Sequence, residues 1–346
     1  MKLLELDAYK ADLRRALSTM DLRPLDGKTI FITGGLGLIC SAVVDMLLVY
    51  GKTGGIFIGA RERESFEDRY GGIGGVHFVP YDAMRPPVLP VRPDLIIHGA
   101  SPASPELYTS RPVETLLANV DGVRFLLDYA KENGMQRLLY VSSSEVYGQK
   151  DIAEPFREDT YGLIDIDRIR SSYAVAKRAS EMLCRAYHAE YGVDTIIVRP
   201  GHIYGPTAKA EDKRVSSDFA FRAAAGQDLV LKSAGLQKRS YCYAVDCAAQ
   251  ILTVLLRGEA GEAYNVGHDE VTTIRKMAQL LATAGGVALQ AAEPTAAERA
   301  AFNPMDDSSL DNGKVKRLGY RDSFTVEEGL THTVALLKAL GPSANA

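Results

Sequence analysis

The chain has 346 residues, 46% apolar and 24% charged, with 40 Lys+Arg against 44 Asp+Glu for a net charge of −4. These proportions suit a globular protein large enough for a sizeable core. They offer no basic run that would grip nucleic acid or anionic lipid, and no apolar stretch approaches the ~20 residues that cross a bilayer. The four cysteines, at positions 40, 184, 242 and 247, form neither a CxxC pair nor a metal-ligand spacing, so a cytoplasmic protein without a metal site is expected.

Residues 1–27 come first. Tyr9, Leu13, Leu17 and Met20 fall at helical spacing, which predicts a helical extension over 6–20 docked on the main body. Six apolar strand patterns follow: "TIFITGG" from Thr29, "GGIFIGA" at 54–60, "GGVHFVPYD" at 74–82, "PDLIIHGAS" at 93–101, "QRLLYVSSSEVYG" at 136–148 and "DTIIVRPGHIYGP" at 194–206. Helical patterns occupy 38–50, 112–133 and 171–191. Strands and helices alternating in this way predict an α/β fold with a doubly wound parallel sheet, in which ligands bind beyond the carboxyl ends of the strands. The dinucleotide-binding domain is expected over 28–200, with part of 240–260 added to it. A smaller mixed α/β substrate-capping region is expected over 201–340. "RERESFEDR" after the second strand reads as a solvated helix start, and "GPSANA" as a frayed end.

Between the first strand and its helix lie Gly34, Gly35 and Gly37. Glycines there allow a tight turn and bring main-chain N–H groups close to a pyrophosphate at the helix N-terminus. Cys40 stands where a third glycine is expected, one size larger. The acid that would bind a ribose 2′-hydroxyl after the second strand is missing: Ala60 holds its place and Arg61 follows. Arg61 either accommodates a 2′-phosphate or stacks on adenine, so the cofactor is NAD or NADP. Asp82, at the end of the third strand, is a partner for the adenine amino group. His98 reads as a packing residue of a buried strand.

"SSYAVAKRASE" places Tyr173 and Lys177 four residues apart on one helix face. An ammonium beside a phenol favours the phenolate, so Tyr173 is expected to titrate nearer neutrality and to act as the base for a sugar hydroxyl. Lys177 can also hold the nicotinamide ribose. Ser143, at a strand end, can hydrogen-bond the same substrate oxygen, and Glu145 is a candidate second acid/base.

"TGGLGLICS", "HGASPASP", "LANVDGVRFLLDYA", "YVSSSEVYG", "SSYAVAKRASE", "RPGHIYGP" and "QKRSYCYAVD" come in the order found in extended short-chain dehydrogenase/reductases that modify nucleotide-sugars. The resemblance runs over about residues 28–335. Within that superfamily the chain is most similar to UDP-glucuronate decarboxylases, on "ASPASP" at 100–105, "SSEVYG" at 143–148, "DKRVSSDF" at 212–219 and the "QKR" ending at Arg239. The resemblance implies Ser143, Tyr173 and Lys177 as the catalytic triad with Glu145 beside them. It implies Gly34, Gly37, Leu38, Arg61, Asp82, Ala100 and Asn119 around the dinucleotide, and Ser104, Ser144, His202 and Arg239 around a nucleotide-sugar. It also implies a cofactor recycled within one turnover, and a homodimer pairing through the helices at 112–133 and 171–191. His202 replaces an asparagine of the pattern, and Lys232 an aromatic residue. The expected reaction passes through a 4-keto sugar and ends in decarboxylation; 4-epimerisation, 4,6-dehydration, net ketoreduction and a non-catalytic dinucleotide-binding subunit are the alternatives.

Overall fold

A computed structural model of the chain describes residues 1–102, 104–150, 154–295 and 305–341; the tail 342–346, expected to be frayed, lies outside the described residues. After helix α1 (Asp7–Leu17), strand β1 (Thr29–Thr33) enters the glycine turn and helix α2 (Leu38–Tyr50) leaves it. Then come β2 (Gly55–Ala60), α3 (Arg63–Tyr70), β3 (Val76–Pro80), β4 (Leu95–His98), α4 (Pro105–Ser110), α5 (Pro112–Asn133) and β5 (Arg137–Val141). The next elements are α6 (Ser172–Tyr191), β6 (Thr195–Pro200), β7 (His202–Tyr204), α7 (Val215–Ala224), β8 (Leu229–Leu231), β9 (Lys238–Tyr243), α8 (Ala244–Arg257), β10 (Ala263–Val266), β11 (Val271–Thr273) and α9 (Ile274–Gly285).

Seven strands form one parallel sheet in the order β10-β6-β5-β4-β1-β2-β3. The order reverses between β1 and β4, and both the glycine turn and the Ser143 segment lie at carboxyl ends of this sheet. Every residue of β4, β6 and β10 is buried, as a parallel sheet covered on both faces requires. One core lies under α1, α2 and α8 and extends into α7, α9 and the helix Val326–Leu340; the other lies under α5 and α6. Thus β10 completes the seven-stranded sheet from far along the chain, with α8 packed against it. Beside it, β9 pairs with β7, with β11 and with Asp307–Ser308 in a small second sheet.

Two expected elements differ. The stretch 194–206 is two strands, not one. Pro200 has no N–H to continue the ladder, and at Gly201 a Cβ would come within 2.9 Å of Leu310, so the chain turns there from the large sheet to β9. The run "RERESFEDR" is not merely solvated: in α3, Phe66 and Tyr70 are buried. Arg69 reaches the fully buried Asp45 of α2 at 2.6 Å, and the Tyr9 hydroxyl of α1 donates to the same carboxylate at 2.9 Å. That acid ties the N-terminal helix to the main body. Among the described residues no helix is long and apolar enough to cross a membrane.

Candidate active site

The turn after β1 is shaped by close approach. Gly34 has φ +71°, and a Cβ on it would lie 2.7 Å from the main chain of Gly99 at the end of β4. Only glycine fits both constraints. Cys40, on the first turn of α2, is 2% exposed, and burial pushes its thiol up to about 12. Its sulfur lies 2.3 Å from where a Cβ of Gly99 would be. The volume gained at position 40 is therefore given up at position 99, and the turn closes with a cysteine where a glycine was expected. Gly37 caps α2 without any side-chain hydrogen bond, so the first N–H groups of a thirteen-residue helix are left for a ligand. This cradle fits the pyrophosphate of a dinucleotide. Leu38 lies just inside the helix, its carbonyl accepting from the Thr207 hydroxyl at 2.7 Å.

Other residues of the expected cofactor set are spread around this end of the sheet. Ala60 ends β2, and Arg61 after it is exposed and, among the described residues, without an ion-pair partner. The Asp82 carboxylate accepts from the Met84 N–H at 3.0 Å. The N–H of Ala100 donates to the Thr33 hydroxyl at 3.1 Å, and that hydroxyl also meets His98 Nδ1 at 2.7 Å; burial pushes this imidazole down to about 3. The side chain of Asn119 is fully buried and already engaged, donating to Thr115 O at 2.8 Å and accepting from Ser101 Oγ at 2.9 Å. It stiffens α5 against the loop after β4.

Beyond β5 the chain forms a short 3-10 turn, Ser144–Tyr147, because Ser143 Oγ accepts from the Glu145 N–H at 3.2 Å. Tyr173 and Lys177 stand on α6, both buried at 7% and 2% exposure. The Lys177 ammonium donates to Val141 O at 2.9 Å, and burial pushes it down to about 7. The expected low Tyr173 pKa is corrected here. Burial pushes the phenol up to about 12, with the Ser143 and Tyr108 hydroxyls pulling the other way and Glu145 adding to the rise. Desolvation outweighs the neighbouring dipoles, and Lys177 spends its proton on a carbonyl. The Tyr108 ring of α4 stacks on Tyr173 with centroids 4.3 Å apart, and Ser104 caps α4 by accepting from the Leu107 N–H.

The side of Tyr173 away from the glycine turn is charged. Glu145, the candidate second acid/base, is held by Arg170, just before α6, with two bonds of 3.1 Å. Arg214, paired with Asp212, acts electrostatically on Tyr173 and Tyr108. Arg239 on β9 is 3% exposed. It donates to Lys238 O at 2.8 Å and lies 3.5 Å from Asp306 O, and among the described residues it has no carboxylate at ion-pair distance. His202 starts β7. Burial, with Arg239 and Arg214 beside it, pushes it down to about 3, and its Nδ1 has no hydrogen-bond partner among the described residues. Ser144 is buried beside Ser143. Behind the turn, the Tyr147 hydroxyl bonds Asn265 and Arg199, and Arg199 pairs with Glu181 at 2.6 Å. Arg170, Glu181 and Arg199 were not expected from the sequence. The available signal was helical spacing, which continues Tyr173 and Lys177 to Glu181.

The arrangement sets a phenol and a serine hydroxyl beside a dinucleotide cradle on one side and arginines suited to anionic oxygens on the other. Among the described residues no group of His, Cys, Asp and Glu could hold a metal ion. Residues 30–267 match the NAD dependent epimerase/dehydratase family. The chain is 32% identical to UDP-glucuronic acid decarboxylase 6 of Arabidopsis thaliana over 307 residues, 87% of this chain and 86% of that one. It is 31% identical to UDP-glucuronic acid decarboxylase 1 of Xenopus tropicalis over 320 residues, 89% and 72% of the two chains. Among solved structures, the UDP-glucose 4-epimerase of Thermus thermophilus in complex with NAD superposes with a TM-score of 0.75 at 26% identity, covering 90% of this chain and 99% of that one. The dTDP-glucose 4,6-dehydratase of Streptomyces venezuelae with NAD and TYD bound gives 0.76 at 26% identity, with 90% and 97% covered.

Proposed function

The chain belongs to the NAD dependent epimerase/dehydratase family, as an extended short-chain dehydrogenase/reductase that modifies nucleotide-sugars, and from that premise we propose that it oxidises UDP-glucuronic acid at C4 and removes the C6 carboxylate from the 4-keto form. A bound nicotinamide dinucleotide would supply a hydride acceptor and return the hydride before release. Ser143 and Tyr173 hold the C4 oxygen; Tyr173 first gives up its own proton to solvent and then, as the phenolate, takes the C4 hydroxyl proton. Lys177 supplies the nearby positive charge. A ketone at C4 is β to the C6 carboxylate, so the C5–C6 bond can break with its electron pair moving onto C5 and the C4 oxygen. That charge then develops against the Ser143 and Tyr173 hydroxyls. We assign to Glu145, once exchanged away from Arg170 and protonated from solvent, the delivery to C5 of the proton that replaces the lost carboxylate.

The observation that carries this reading is Arg239, a buried guanidinium with main-chain carbonyls against it and, among the described residues, no carboxylate at ion-pair distance, next to His202 and within electrostatic reach of Glu145. A buried cation without a counter-ion is costly unless an anionic ligand completes it, and a diphosphate with a uronic acid supplies such anions. Similarity to UDP-glucuronic acid decarboxylases over most of the chain supports the same substrate. The cofactor of this reading is NAD or NADP, and Arg61, exposed just after β2, is assigned to the adenosine ribose. A homodimer through α5 and α6 would cover the exposed Val113, Leu117 and Met182. Incubation with UDP-glucuronic acid, UDP-glucose and dTDP-glucose, followed by mass spectrometry of the products, tests the reading. Loss of carbon dioxide from UDP-glucuronic acid is expected. An unchanged mass with C4 inversion identifies a 4-epimerase, and loss of water a dehydratase.

A further inference from the structure

Strand β5 ends at Val141, and the next two residues lead to the catalytic hydroxyl. Two side chains of α6 hold this end. Lys177 donates to Val141 O at 2.9 Å, and Glu181 Oε1 accepts from Ser142 Oγ at 2.6 Å. Residues i and i+4 share a helix face, so successive turns of α6 grip successive residues of the strand. Ser143 comes next, in extended conformation at φ −160°, and the direction of its hydroxyl follows from how Ser142 is held. Glu181 is itself fixed from the neighbouring strand β6: Arg199 donates through Nε at 3.0 Å and through Nη2 at 2.6 Å. Nη1 of the same arginine donates to the Tyr147 hydroxyl at 3.0 Å and to Glu158 O at 2.9 Å. Tyr147 belongs to the same 3-10 turn as Glu145. One buried carboxylate, 5% exposed, is therefore tied to both sides of the loop that carries the chemistry.

We propose that Glu181 is a positioning residue of this site: through Ser142 it sets the Ser143 hydroxyl, and through its charge it holds the proton on Lys177, with Arg199 as its counter-ion. The inference rests on Ser143, Tyr173 and Lys177 being the catalytic set. The other groups facing Lys177 are Cys40 from α2, Cys184 on α6, Tyr140 from β5, Tyr173 and His98 from β4. Burial raises both thiols and both phenols and lowers the imidazole. All five are then neutral near pH 7, and Glu181 is the charged neighbour.

In the chain with Glu181→Gln and Arg199→Met together, neither member of that ion pair is left buried without the other, and its far-UV circular dichroism is compared with wild type before titration. In protein labelled at the lysine ε-carbon, with Lys177 assigned from Lys177→Met, the NMR titration midpoint of Lys177 is expected to fall by about one pH unit or more. This readout needs no substrate, so it stands apart from the proposed reaction, which fails separately if Tyr173→Phe retains turnover. Ser142→Ala cuts the link to the strand without changing any charge; kcat should drop about tenfold at an unchanged KM. Arg137→Met breaks the bidentate pair with Asp194 at the opposite end of β5. It should lower the unfolding temperature and leave both kcat and the Lys177 midpoint alone. The proposal is overturned by an unmoved Lys177 midpoint, by full kcat in Ser142→Ala, or by an equal loss of kcat in Arg137→Met.

Discussion

Around the glycine turn the fit is a matter of volume. Gly34, Cys40 and Gly99 interlock with no charged group among them, and a single added carbon at position 99 would collide with a sulfur. On the far side of Tyr173 the fit is a matter of charge. Glu145 with Arg170, Asp212 with Arg214, and the carbonyl-bound Arg239 make a polar wall. The first region is finished before any ligand arrives, since main chain and small residues have no alternative partners. The second holds pairs that can exchange: Glu145 and Arg170 are only 23% and 30% exposed, and an anionic sugar can take the arginine and free the acid. Under the proposed function, the preorganised region is the cofactor half and the exchangeable one the substrate half.

The comparison can be broken most severely at the boundary between the halves. Tyr173→Phe keeps the ring that stacks on Tyr108 but removes the hydroxyl. Turnover should fall on the order of 10²-fold or more, while cofactor binding, followed by nicotinamide fluorescence, is retained. The volume claim is tested by Gly99→Ala, which overpacks the turn and should cost about 1–3 kcal/mol in denaturant unfolding along with cofactor affinity. In a Cys40→Gly background the same substitution should cost much less, a coupling that a double-mutant cycle measures.

Lys177 sharpens the comparison by its cost. Its pKa is lowered by burial from 10.5 unfolded to about 7 folded, so between those values the unfolded chain binds more protons and stability rises with pH. Below about pH 7 both states are protonated and the whole penalty is present. Lys177→Met should therefore stabilise the fold by about 1–3 kcal/mol at pH 6. The gain should fade towards pH 10.5 in thermal melts across that range. A gain independent of pH would show that packing, not charge, limits the site there. The smallest effect is expected at the rim: Arg61→Asp should shift relative affinity towards NAD over NADP by a few-fold in equilibrium binding, about the ~1 kcal/mol of an exposed charge pair. An unchanged ratio would remove Arg61 as the reader of the ribose.

The parallel sheet and the glycine turn were largely legible in the sequence because their signals are local. Apolar strand runs, glycines at a turn and the Tyr173–Lys177 spacing each need only a few neighbouring residues to be recognised. What escaped depends on residues brought together from far apart. Gly99 after β4 compensates Cys40 on α2, Arg199 reaches Glu181 from β6, and Asp45 joins Tyr9 to Arg69. The Arg170 partner of Glu145 was not foreseen, since nothing local to "SSSEVYG" announces an arginine 25 residues further on. The break at Pro200–Gly201 was written in the residues themselves, yet the apolar pattern on either side masked it. The pKa of Tyr173 was misjudged because a helix-face argument sees the lysine and not the desolvation around both groups.

The division of labour is tested most directly by a single turnover with UDP-glucuronic acid in the wild type and in Glu145→Gln, following nicotinamide absorbance. In the wild type the absorbance should rise and then decay as the reduced cofactor is reoxidised. In Glu145→Gln it should rise at a similar rate and persist, with a 4-keto sugar retained, because the cofactor half and Tyr173 are intact and only the exchangeable half has lost its acid. Equal rise and equal decay in both proteins would contradict the account and leave Glu145 as a structural partner of Arg170.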